Sequence, residues 1–179
     1  RRIAKSLHAT VAIVLISILH SPFYLLHFSA TADEPATSAP GSEPRNLIPN
    51  GDFDAGKTTP DAWQTVDGLS SFWVKDADPK RGRVLRFDTD VLQTQAYEWW
   101  KKIGEGALPN DAPVKLPSVE PKYDTLAGRD GVWFWSDPIP VEKGKAYWLT
   151  LDGKGPGQIE VWLHGYPEKP SAAFGLEAK

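Results

Sequence analysis

The sequence has no cysteine and no methionine among its 179 residues. Without cysteine, no disulfide framework is available. An exported chain of this kind must be held by its core or by ions, which fits a bacterial envelope or secreted protein better than a small animal ectodomain. Positive charge is also scarce where it would be needed to meet phosphate. Arg1, Arg2 and Lys5 stand at the extreme N-terminus; everything after residue 32 carries 17 Lys and Arg against 23 Asp and Glu, a net charge of −6. That balance excludes nucleic acid as the expected partner. Enzyme motifs are missing as well. There is no Gly-x-Ser-x-Gly, no His-Glu-x-x-His, no cysteine nucleophile and no phosphate loop. The run Gly153–Gly157 contains Pro156 and reads as a hairpin turn between strands.

What is abundant is tryptophan, with eight residues. Indole is large and amphipathic, so such an excess belongs either to a core or to a surface that stacks on flat ligands.

No charged residue occurs between Ser6 and Ala32, and Val11–Leu19 (VAIVLISIL) is continuously apolar. With the basic start and Ala30-Thr31-Ala32, this reads as a signal peptide, residues 1–32, cleaved after Ala32. The competing reading is an uncleaved membrane anchor, the chain's one route to a membrane, which Ser21-Pro22 interrupts. Residues 33–45 (DEPATSAPGSEPR) have no apolar periodicity and read as a disordered linker.

Short strand candidates follow: 62–66 (AWQTV), 71–75 (SFWVK), 83–90 (RVLRFDTD), 131–136 (GVWFWS), 145–152 (KAYWLTLD) and 158–166 (QIEVWLHGY). Their spacing predicts an all-β sandwich. Residues 91–130 form a long insertion with one short helix, Ala96–Ile103, and a Pro-rich, extended middle.

The opening stretch, NLIPNGDFDAG, leads to Pro60-Asp61-Ala62-Trp63. Asn46, Leu47, Asn50, Gly51, Phe53, Gly56, Pro60 and Trp63 resemble the start of carbohydrate-binding modules of the galactose-binding-like β-sandwich class, particularly those that bind cellulose, xylan and other β-glucans. Asp54 stands where these usually have Glu. Ser136–Asp152 (SDPIPVEKGKAYWLTLD) is similar to the same family's middle region. The resemblance spans most of residues 46–166 and implies a jelly-roll sandwich over 46–168, with 169–179 as a tail or the start of a following region. The family's closing Phe-Asp-x-Val strands have no counterpart here. The sandwich is therefore expected to be incomplete at its C-terminus, or the chain to be the leading part of a longer protein, since missing edge strands expose unpaired backbone. The resemblance also implies a structural calcium with Asp54 as a ligand. The plain alternative is that Asp54 caps a turn, because one Asp is far from the six to eight oxygens of a calcium site.

Strand alternation assigns the faces, since residues i and i+2 share one. Leu85 and Phe87, Phe72 and Val74, Tyr147, Leu149 and Leu151, and Ile159, Val161 and Leu163 are expected in the core. Trp63 is expected there too, and strand 131–136 buried on both sides. The opposite faces carry Trp148, Trp162 and Trp73 beside Arg86, Asp88 and His164, the expected ligand-binding set. Pyranose rings stack on indole, and their hydroxyls bond to carboxylates and guanidinium groups. The competing reading has Tyr97, Trp99 and Trp100 of the insertion packing over that face.

The expected function is non-catalytic binding of a polysaccharide or oligosaccharide by an exported module of a secreted or envelope protein, with a hydrolase as one candidate for the whole. The alternative is a structural or protein-interaction sandwich at the cell surface. A third reading, hydrolysis by insertion carboxylates, would need two acids held across the bond. Glu98, Glu105, Glu120 and Glu160 are available, but none stands in a recognisable motif.

Overall fold

A computed structural model describes residues 10–19, 24–33, 46–121, 123–142, 146–155 and 158–167. The expected linker, apart from Asp33, and the expected tail lie outside them. Eight strands and one α-helix run in the order β1 (Thr10–Leu19), β2 (Tyr24–Asp33), β3 (Ser71–Lys75), β4 (Arg83–Phe87), α1 (Gln93–Gly104), β5 (Val132–Trp135), β6 (Ile139–Val141), β7 (Ala146–Lys154) and β8 (Gln158–Pro167). The chain is thus mostly strand with one helix, as its sequence indicates.

The strands form two four-stranded antiparallel sheets. In the first, β5 and β6 lie along one edge of β1, and β8 pairs its other edge over its whole length. In the second the order is β3-β4-β2-β7. β7 and β8 therefore belong to different sheets. The hairpin pairing expected of them is not found among the described residues. The segment read as an export signal supplies β1 and β2. Cleavage after Ala32 would remove both, and with them the pairing partners of β7 and β8.

The two sheets meet in one core. The ring of Phe87 on β4 lies 5.5 Å edge-on from that of Phe134 on β5, and Trp63 stacks on Phe134 at 6.1 Å. Phe53 packs on Trp63 at 5.0 Å and is fully buried. Removing a ring from such a cluster forfeits both transfer energy and packing, about 3–5 kcal/mol for a buried Phe.

The opening motif has a definite local role. Asn50 takes a left-handed conformation, φ 49°, which Asn tolerates better than most residues. Its amide donates to the carbonyls of Ala55 and Asp61, each at 2.9 Å, and accepts from Ala55 N–H at 2.8 Å. Phe53 N–H closes the turn on Asn50 O. The Trp63 indole N–H reaches the carbonyls of Pro49 and Asn50. Gly56 is required: with φ 140°, a Cβ there would sit 2.1 Å from the Thr59 carbonyl. The positive-φ residues of the turn are Asn50, Phe53 and Gly56, and Gly51 is not among them.

Two elements differ from expectation. Residues 62–66 form no strand, only an isolated bridge from Trp63 to Ser136. Helix α1 begins three residues earlier than its apolar pattern predicts. Leu92 gives no side-chain cap; instead Gln93 N–H donates to Asp124 O, and the Gln93 amide donates to the carbonyls of Tyr123 and Thr125. Tertiary partners satisfy the helix start where a local cap is missing.

Candidate functional site: an aromatic cleft between helix and sheet

The expected binding residues do not come together. Trp73 is paired with Leu85 across β3 and β4, whereas Arg86 is paired with Phe72. Directly paired residues share a face, so Trp73 and Arg86 lie on opposite faces. Trp73 is the core residue: it is 9% exposed, its N–H donates to Phe53 O at 2.7 Å, and the Arg83 guanidinium lies 4.0 Å from its ring. The face assignment in SFWVK is thereby reversed, with Phe72 and Val74 only half-buried. The reason is size. With aromatics on both faces of one strand, alternation alone does not say which is inward, and here the larger ring fills the core.

Arg86 stacks over Phe72 at 4.4 Å. Asp88 is buried, accepting from Lys115 Nζ at 2.8 Å and from Asp90 N–H at 2.9 Å. Trp162 and His164 are exposed on β8, Trp162 at 51%. Trp148 is placed on β7 opposite Thr31; its side chain lies outside the described residues.

Strand β5 brings the main change. Val132 and Phe134 are buried, while Trp133 and Trp135 are 45% and 44% exposed. The strand expected to be buried on both sides has one open face, and that face is all indole. Across from it, α1 turns Trp99 into the core and sets Tyr97 and Trp100, three residues apart, on one side. Their rings meet edge to face at 5.4 Å.

These four rings, with Gln64, Leu126, Asp130 and Gly131, line an open cleft of about 250 Å³. That is near the lower end of the ~300–1,000 Å³ of small-molecule sites. The eight described lining residues fall between Gln64 and Trp135. Trp100 is fixed by its N–H donating to Asp67 Oδ2 at 2.5 Å, and Trp133 by its N–H donating to Asp130 O at 2.7 Å. Gln64 Oε1 is buried and has no hydrogen-bond partner. A buried acceptor without a donor is costly.

Sequence reasoning considered Tyr97 and Trp100 only as packing residues, gave Trp133 and Trp135 to a strand buried on both sides, and passed over Gln64 and Asp130. The i, i+2 pair of Trp on β5 is a usable signal once the apolar Val132 and Phe134 are given to the core. Gln64 has no sequence signal.

The insertion is tied down by charge. Lys115 bridges Asp88 at 2.8 Å and Asp90 at 3.4 Å. Burial works against its charge, but the hydrogen bond and charge of Asp88, then Asp90, outweigh it and raise the amine above its ordinary value of 10.5. Gln95 clamps the same strap, bonding Val114 O and Leu116 N–H. Because the folded-state pKa is raised, this contribution is fully present below pH ~10.5 and is lost as pH rises through the elevated value. Lys115→Gln should remove about 1 kcal/mol, kept small by the partial exposure of the lysine. The expected result is faster limited proteolysis within residues 108–121 of the variant at neutral pH, and convergence with native protein at strongly alkaline pH. At the far end of the strap, Asp124 is held below the usual carboxylate range, chiefly by the Ser118 hydroxyl and then by the N–H groups of Glu120 and Val119, against a smaller effect of desolvation.

Asp54 accepts from Arg83 N–H at 2.8 Å and lines a second cavity, of about 330 Å³, with Asp52, Lys80, Arg81 and Asp152. Two of these five residues are cations, and among the described residues no group of three or more His, Cys, Asp or Glu is placed to hold a metal ion. The donor set does not fit calcium, which takes six to eight oxygens. The Asp54 carboxylate joins the opening loop to the start of β4.

Set against known proteins, the chain matches no family model, no curated protein and no solved structure.

Proposed function

We propose that this chain is a non-catalytic glycan-binding module of an exported protein, built as a galactose-binding-like jelly roll. The observation that carries the reading is the cleft between α1 and β5. It has four aromatic walls, two of them half-exposed tryptophans. Flat apolar faces with a few oriented polar atoms are what a pyranose ring requires. Asp130 is the one carboxylate among the lining residues, whereas hydrolysis needs a pair across the bond. The motif Asn46–Trp63 supports the same reading through its resemblance to carbohydrate-binding modules.

The test is electrophoresis of the folded protein through gels containing β-glucans, xylans, mannans or galactans. Retardation by at least one neutral polymer is expected. Free migration in every gel would turn the reading to a protein-interaction sandwich. Export has its own check: the protein recovered outside the cell is expected to begin at Asp33 by N-terminal sequencing. A start before Thr10 would mean that β1 and β2 stay in the mature chain.

A further inference from the structure

Strand β8 has an open side. Its ten residues pair with β1 along one edge, and among the described residues no strand pairs with the other. A strand edge presents a row of N–H and C=O groups that templates pairing with another chain, and edges are commonly blunted by shortness, lysine or proline. β3 is blunted in this way: it has five residues and ends on Lys75. β8 is not. From Gln158 to Tyr166 it holds no lysine, arginine or proline. It also exposes apolar bulk on both faces, Trp162 at 51% and Leu163 at 63%. On β7, which ends in Asp152, Gly153 and Lys154, no large apolar residue is exposed among the described side chains.

The sequence of β8 is complementary to itself. Directly opposed residues of an antiparallel pair share a face. When two copies of β8 run antiparallel about Trp162, that indole meets its own counterpart. Glu160 then stands opposite His164 and Val161 opposite Leu163, each pair occurring twice. One face joins carboxylate to imidazole and indole to indole; the other joins aliphatic side chains only. His164 is exposed. Glu160 Oε1 accepts from the Gln158 amide at 2.9 Å, and a carboxylate has room for further donors. A slip of one residue would set Glu160 against Leu163 and His164 against Ile159, each polar group facing an aliphatic one. The pattern uses nothing from residues 1–32. Loss of β1 would give β8 a second open edge and would not close this one.

We infer that the chain forms a two-fold dimer in which the outer edge of β8 pairs with that of a second copy, antiparallel and in register at Trp162. The contact is isologous, so it closes at two copies. This goes beyond the glycan-binding reading and does not depend on it.

The experiment is sedimentation equilibrium of the full chain over a wide range of concentration. The native chain is expected to pass from monomer to dimer as concentration rises. His164→Glu sets carboxylate against carboxylate at both ends of the pairing, and Glu160→Lys sets an ammonium against the imidazole. Each should weaken the dimer at least about tenfold. Mixed in equal amounts, the two variants should regain it: the new lysine meets the new glutamate, and the remaining Glu160 meets the remaining His164. Melting curves separate loss of the dimer from loss of the fold. Should either variant melt early, Leu163→Lys takes its place, at a position 63% exposed, and should weaken the dimer by setting an ammonium against Val161 of the second copy. A native chain that stays monomeric at every concentration overturns the inference. So does a dimer that none of these variants weakens, or one that both folded charge variants weaken and their mixture fails to restore.

Discussion

Replacing Trp133 and Trp135 together by alanine is expected to abolish retention by any glycan that the native chain binds, a loss of at least about 100-fold. The melting temperature should fall by about 10 °C, with a cooperative transition kept. The separation of the two effects follows from β5. Its inward residues, Val132 and Phe134, hold the core, and Phe134 meets both Phe87 and Trp63. The outward indoles are already half in water, at 45% and 44% exposure. Their truncation forfeits the covered half of each ring, about 2 kcal/mol apiece. It also removes the floor on which a ring stacks. Gel retention and a melting curve on the same sample make the measurement. The informative control is Trp162→Ala, because Trp162 is the other half-exposed indole described, on β8. Retention that survives the double change but fails in Trp162→Ala would move the site to β8, which carries two of the residues first expected to bind, Trp162 and His164.

Strands were legible where burial is one-sided and the two faces differ in kind. RVLRF puts Leu85 and Phe87 inward and Arg86 outward, and the structure agrees. QIEVWLHGY was legible in extent, though Leu163, expected in the core, is 63% exposed on β8. Faces were misread where aromatics occupy both, as in SFWVK and GVWFWS. There alternation gives two sets but not which set is inside; volume and neighbours decide, and these come from distant residues. Trp73 is drawn inward by the Phe53 carbonyl, twenty positions earlier in the chain. The opening turn was legible because its chemistry is local. Asn50 satisfies Ala55 and Asp61 with its own amide, and Trp63 needs only to return to Pro49 and Asn50. The cleft was not legible as a whole. Its walls come from residues 64, 97–100 and 126–135, and no spacing rule links them.

The insertion left two roles open in the sequence, covering the tryptophan face or building a site. Rather than covering a tryptophan face, α1 supplies the second wall of a cleft whose first wall is β5. That wall must be rigid to help, since a ring that swings loses the advantage of a preformed stacking surface. Rigidity here comes from one buried carboxylate, that of Asp67. Its Oδ1 accepts from the N–H groups of Leu69, Ser70 and Ser71 at 2.7–2.8 Å. Its Oδ2 accepts from Ser70 Oγ and Trp100 Nε1, both at 2.5 Å. Its carbonyl accepts from Trp99 Nε1 at 2.6 Å. The turn before β3 and the helix of the insertion are thus joined at one residue.

Two substitutions at Asp67 should therefore behave differently. Asp67→Ala strands three backbone N–H groups and an indole N–H in a buried site, at about 1–3 kcal/mol for each group left unpaired. Some of these will reach water as the loop relaxes, so a net loss of about 3 kcal/mol is expected, or roughly a 10 °C fall in melting temperature. Asp67→Asn is the sharper probe. Its amide oxygen can still serve the three backbone donors, but an NH2 group then faces the Trp100 indole, donor against donor. The fold should largely survive while Trp100 loses its tether. Glycan binding is expected to fall about tenfold, and the fluorescence quenching of Trp100 by an added solute should rise. If Asp67→Asn binds glycan as well as native protein while melting lower, the carboxylate serves only the turn, and the wall of the cleft stands without it.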